Sequence, residues 1–221
     1  MWRRAFRTFA WAPLLLLLGL VAWGADFDRM ERQARQIYGA EAAARVMAWR
    51  ETVTGTRELE ELEQLRRVND FFNRQVRFAD DIDIWGEPDY WATPLETLGK
   101  GAGDCEDFTI AKYMTLRELG ISNDRLRLIY VRAAIGGTSS GVSQAHMVLG
   151  YYPSPSADPL ILDNLIDEIR PGSRRPDLTP VFSFNSDGLW VGGATSSSAD
   201  PTARLSRWRD VLERMRREGL R

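Results

Sequence analysis

The hydropathy pattern changes period near Gly120, and that change restricts the fold more than any other feature of the chain. Before it, apolar residues recur at helical spacing. Phe27 to Arg50 carries Met30, Ala34, Ile37 and Tyr38 on one face, and Arg57 to Phe78 carries Leu59, Leu62, Leu65, Phe72 and Val76. A third helix is expected from Cys105 to about Leu119, with Gly120 to end it. After Gly120 the pattern is that of strands, at Leu126–Arg132, Ala145–Tyr152 and Leu160–Leu165, with shorter ones at Val181–Phe184 and Leu189–Val191. Helices followed by antiparallel strands predict an α+β domain. Between the second and third helices, Ala79 to Gly103 is rich in Asp, Gly and Pro and reads as a long loop, the kind that often carries function. The tail from Pro201 to Leu220 is an amphipathic, Arg-rich helix, expected to present a solvated face.

The N-terminus predicts export. Arg3, Arg4 and Arg7 precede an apolar run from Phe9 to Trp23, which ends in Ala22-Trp23-Gly24 with small residues at the spacing a signal peptidase reads. The run is short against the roughly 20 apolar residues of a membrane span. Residues 1–24 therefore read as a cleaved signal peptide and 25–221 as one mature domain with no stable membrane insertion; a retained anchor is the alternative. A net charge of -2 supplies no basic footprint for nucleic acid. The chain has a single cysteine, so it can form no intrachain disulfide, and an exported free thiol needs a reason.

Gly101-Ala102-Gly103-Asp104-Cys105-Glu106-Asp107 offers that reason. Two glycines let the backbone turn tightly, and the cysteine falls in the first turn of a helix. There the unpaired N–H groups and the positive end of the dipole favour a thiolate and can cradle an oxyanion. His146, the only histidine, is the one imidazole available to take the thiol proton, although a lone histidine in an apolar strand is also an ordinary core residue. If the hairpin over Pro153–Pro159 centres between Ser154 and Pro155, Asp163 stands directly opposite His146 on the same face and can hold its tautomer. A slip of one residue would present Leu162 or Asn164 instead.

Gly103-Asp104-Cys105-Glu106-Asp107-Phe108 with Ala111-Lys112-Tyr113, then Ala145-His146-Met147-Val148, Leu162-Asp163-Asn164 and the upstream Tyr90-Trp91-Ala92-Thr93-Pro94-Leu95-Glu96, resembles the bacterial transglutaminase-like cysteine proteinases. The resemblance implies a papain-like core, its catalytic cysteine at a helix N-terminus packed on an antiparallel sheet, with Cys105, His146 and Asp163 as the triad. It also implies calcium (Ca2+) dependence and a periplasmic location. The implied substrate is a large surface adhesin, cut near its N-terminus at paired alanines to control biofilm attachment. The implied inhibitor is the periplasmic domain of an inner-membrane cyclic-di-GMP receptor.

The residues give calcium a physical reading as well. Asp104, Glu106 and Asp107 crowd negative charge around Cys105, which opposes a thiolate unless a hard cation with oxygen ligands offsets it. They read equally as caps of the helix start. The resemblance favours calcium, with Asp104 and Glu106 ahead of Asp107 as ligands. Asp80-Asp81-Ile82-Asp83 lacks the spacing of an EF-hand and reads as a solvated turn. Two other functions fit the same residues: acyl transfer to an amine, as in a transglutaminase, and a non-catalytic binding module of the same fold.

Overall fold

The computed structural model describes residues 24–136, 141–192, 194 and 197–220. Residues 1–23 of the expected signal peptide lie outside them. Among the described residues no helix is long and apolar enough to cross a membrane.

The first helical pattern folds as two helices, α1 (Phe27–Tyr38) and α2 (Ala40–Thr56), because Gly39 between them takes φ +98°. That conformation suits glycine and breaks the helical run. α2 sends Val46, Trp49 and Val53 into the core, where α3 (Glu61–Gln75) meets it with Leu65, Val68 and Phe72. The second pattern was expected to run to Phe78; it ends instead in β1 (Arg77–Phe78), which pairs in parallel with β2 (Ala102–Gly103).

The expected loop contains two short helices, α4 (Asp81–Trp85) and α5 (Pro94–Lys100). α5 starts on a capping box in which Thr93 and Glu96 satisfy each other's backbone N–H groups, with Pro94 just inside the helix. α6 (Cys105–Glu118) then runs through the centre of the molecule, with Asp107 to Leu116 buried.

Six strands form the antiparallel sheet: β3 (Leu126–Ala134), β4 (Ser143–Tyr151), β5 (Leu160–Leu162), β6 (Arg170–Pro171), β7 (Leu178–Phe184) and β8 (Leu189–Val191), in the order β6-β5-β4-β3-β7-β8. Leu128, Met147 and Leu149 face the helices in the main core, while Ile129, Val131, Val148 and Ile161 form a second cluster on the opposite face.

The β4–β5 register differs from the expected one. Leu149 pairs with Leu162 and Tyr151 with Leu160, which centres the turn between Pro155 and Ser156. The chain closes with α7 (Pro201–Arg204) and α8 (Ser206–Glu218). α8 is not only a solvated face: Trp208, Val211 and Met215 are buried, and Trp208 meets Phe184 and Tyr113 edge-on at 5.4 and 5.8 Å.

Candidate active site

Cys105 is the first residue of α6, as expected, and is half-buried. Asp104 caps the helix: its Oδ1 accepts the N–H groups of Glu106 at 3.1 Å and Asp107 at 3.4 Å. Those two donors, expected to help cradle an oxyanion, are therefore engaged by the cap. The Cys105 Sγ lies 2.7 Å from Glu106 Oε2. Burial, then the Glu106 charge and this contact, then Asp104, push the thiol well above its ordinary pKa, and the N–H of Met147 opposes them.

Met147 follows His146 on β4. Its carbonyl accepts the Thr109 hydroxyl of α6 at 3.0 Å while its N–H faces the Cys105 sulfur. β5 has already ended at this level, so the Met147 backbone is bonded by α6 instead, and the histidine strand is seated at the head of the cysteine helix.

His146 and Asp163 come together: Nε2 lies 2.8 Å from Asp163 Oδ1, and both side chains are buried. They are not directly opposite as expected. Asp163 lies just past the end of β5, and the register carried one step beyond Leu149↔Leu162 sets it level with Val148. The contact runs along the diagonal, which a two-residue offset allows because it preserves the face.

The Asp163 carboxylate also accepts Leu165 N–H at 3.0 Å and Arg175 Nη2 at 2.7 Å, and Arg175 is pinned in turn by Asp177. Burial pushes its pKa up, but the bonds and charge of His146, the Leu165 N–H and Arg175 outweigh it and bring it down to about 2. Behind it, the Asp163 carbonyl accepts Lys112 Nζ and Asn73 Nδ2, each at 3.0 Å.

Asn73 and Arg175 gave no sequence signal. Lys112 did: a lysine within Ile110-Ala111-Lys112-Tyr113-Met114 has no exposed face to occupy, and it is 1% exposed.

The acidic cluster is larger than expected. Asp81, assigned to a solvated turn, is buried, and its carboxylate oxygens group with those of Asp104 and Asp107 within 4.8 Å of one another. Asp104, Cys105 and Glu106 form a second group at the same spacing. Asp81 Oδ2 accepts Tyr90 N–H at 2.6 Å and Asp107 Oδ1 accepts Ala92 N–H at 2.7 Å, but Asp81 Oδ1 and Asp107 Oδ2 are buried without a hydrogen-bond partner.

Burial, then Glu106, Asp107 and Asp81, push Asp104 up to about 10. Asp81 and Asp107 are raised as well, in each case chiefly by burial. Gly103 makes the packing possible, since a Cβ there would sit 2.8 Å from that of Asp107. Buried carboxylates with one oxygen held by a backbone N–H and the other unpartnered fit a hard divalent cation, which takes oxygen ligands.

An antiparallel sheet packed on helices, with a lone cysteine at the head of the central helix, is the fold of the transglutaminase-like cysteine proteinases. The chain belongs to the bacterial transglutaminase-like cysteine proteinase family, which matches residues 39–177. Among solved structures it is similar to LapG of Legionella pneumophila. The EGTA-treated form is 38% identical with a TM-score of 0.73, covering 86% of this chain and 97% of that one. The calcium-bound form is 38% identical with a TM-score of 0.71, covering 86% and 98%. No curated protein matches the chain.

Proposed function

We propose that this chain is a calcium-dependent endopeptidase of the periplasm in which Cys105, His146 and Asp163 act as a triad. The 2.8 Å contact between His146 Nε2 and Asp163 Oδ1 carries the reading, because it leaves Nδ1 of the same ring to take the thiol proton. The thiolate attacks the scissile carbonyl, His146 returns the proton to the leaving amine, and water then hydrolyses the thioester. Asp163 orients the ring and stabilises the imidazolium, and Arg175, Lys112 and Asn73 hold Asp163 in place. Calcium, held by Asp81, Asp104, Asp107 and Glu106, supplies the positive charge that offsets the carboxylates beside the thiol. The unpartnered oxygens of Asp81 and Asp107, and the calcium-bound state of the similar LapG, support this part of the reading.

The substrate is the N-terminal region of a large surface adhesin, and cleavage there releases the adhesin and ends attachment. The periplasmic domain of an inner-membrane cyclic-di-GMP receptor binds the protease and restrains it. The motif resemblance supports both assignments.

The test incubates purified protein with the N-terminal region of such an adhesin from the same genome, with calcium, with chelator and with an added primary amine. One calcium-dependent cut and no incorporated amine are expected. Amine incorporation in place of cleavage would assign a transglutaminase.

A further inference from the structure

On the sheet face opposite α6 lies a cavity of about 340 Å³, within the usual range for ligand pockets. Its floor is the second apolar cluster, Ile129, Val131, Val148 and Ile161. Two arginines line it. Arg127, 8% exposed, lies over two rings, 4.6 Å from the centroid of Tyr152 and 4.1 Å from that of Trp190. It makes no salt bridge among the described residues, and its Nε is buried without a partner. Arg175, 3% exposed, is held by Asp163 and Asp177 and keeps Nη1 buried without a partner.

The remaining charge at the cavity is Asp158, which is exposed at the rim and already accepts the hydroxyl and N–H of Ser173. The wall thus offers one guanidinium with no counter-charge and one that is charge-compensated but still has a hydrogen to donate. Leaving either donor unmade is costly in a buried site, so both call for an acceptor.

We infer that this cavity receives the C-terminus of a peptide whose last residues are apolar. The terminal carboxylate pairs with Arg127, which lacks an anion. A backbone carbonyl accepts from Arg175, whose charge is already met. Apolar side chains cover the Ile129–Ile161 floor. The rings of Tyr152 and Trp190 hold the Arg127 guanidinium in place before the ligand arrives, which reduces the ordering cost of binding. Binding here does not depend on Cys105 being a nucleophile, so it is separable from the protease reading.

The probes are N-acetyl-Ala-Leu-Val with a free carboxylate, the same peptide as its C-terminal amide, and octanoate. Titration by calorimetry is paired with methyl NMR of Ile129, Val131, Val148 and Ile161 on the full mature chain. A charge-assisted bond implies that the free acid binds at least about ten-fold tighter than the amide, with shifts at the methyls of these four residues. Arg127→Gln should bring acid and amide to equal affinity. Octanoate, which lacks the backbone carbonyl, should bind more weakly than the free acid. Equal binding of acid and amide to the wild type overturns the proposal, as does no binding at millimolar concentration or shifts confined to other methyls. Octanoate matching the peptide would refute the role given to Arg175. The wild-type acid–amide comparison keeps the test decisive even if Arg127→Gln does not fold.

Discussion

At the scale of single residues, the proposed triad and its buttress make separate claims. Cys105→Ser, His146→Ala and Asp163→Ala should each remove most cleavage, and the double variant Cys105→Ser/His146→Ala should be about as inactive as either alone, because residues acting as a unit are not additive. Single-turnover assays on variants that melt like the wild type decide this.

Lys112 makes a different claim. Burial lowers its pKa from 10.5 to about 7, against the opposing charges of Asp163, Asp167 and Asp70. The unfolded chain therefore binds more protons than the folded one between those values, so this group makes wild-type stability rise with pH across that window. Lys112→Met should abolish that rise, read from chemical melts at several pH values. It should also lower kcat, because the Asp163 carbonyl loses a donor.

The sequence already offered Cys105, His146 and Asp163 as candidates, since each is singular or sits in a distinctive run of residues, and the structure brings His146 and Asp163 into contact. Asp81 was hidden because acidic residues in a Gly- and Pro-rich stretch ordinarily face water. Only the tertiary fold shows that β1–β2 pairing draws α4 back against the cysteine turn.

At the scale of elements, periodicity located most helices and strands but not their ends. Gly39 splits a continuous helical pattern, and the capping signal Thr93-Pro94-Leu95-Glu96 was legible but lay inside a stretch read as loop. The β4–β5 register could not be read from the turn, because Pro153–Pro159 offers several centres. The face of each side chain survived because the true centre differs by a two-residue offset in pairing.

The tail is amphipathic as expected, though it forms two helices, and in α8 a narrow stripe of Trp208, Val211 and Met215 does the packing. Trp208→Ala should cost about 3–5 kcal/mol, the range for a buried large aromatic. Trp208→Phe should cost less, since the indole N–H is buried without a partner and its loss removes an unmet donor. Urea melts of both variants check the ordering.

At the scale of the whole molecule, long-range ties bring distant segments to the cysteine helix, and a cation would strengthen one set of them. Asp81 comes from α4, Asp104 and Asp107 from the start of α6, and the N–H groups of Tyr90 and Ala92 from the chain between. An ion bound there only in the folded state stabilises by mass action, by about 2.7 kcal/mol at a hundred-fold excess over Kd. For a chain of this size that is a rise in Tm of roughly 5–10 °C. Scanning calorimetry with calcium and with chelator should show it, and Asp81→Asn should shrink it. An unchanged Tm would mean that the folded chain binds no calcium, and an undiminished rise in Asp81→Asn would place the ion elsewhere.

The two ends of the described chain are tied to the same helix system. The Ala25 N–H donates to Glu118 Oε2 at 3.0 Å, and the Asp26 N–H to the Gly219 carbonyl at 2.9 Å. Glu118, at the end of α6, also pairs with Arg57. If the signal peptide is cut before Ala25, that N–H becomes an ammonium facing a carboxylate that is already placed. The mature N-terminus then adds a charge to an existing hydrogen bond. Such a pair is worth about 0.2–1 kcal/mol at a partly exposed site. Mature protein beginning at Ala25 should therefore melt slightly above the same chain acetylated at Ala25, and Glu118→Gln should erase the difference. Equal melting of the free and acetylated forms would mean that Glu118 stays with Arg57 and takes no part in holding the N-terminus.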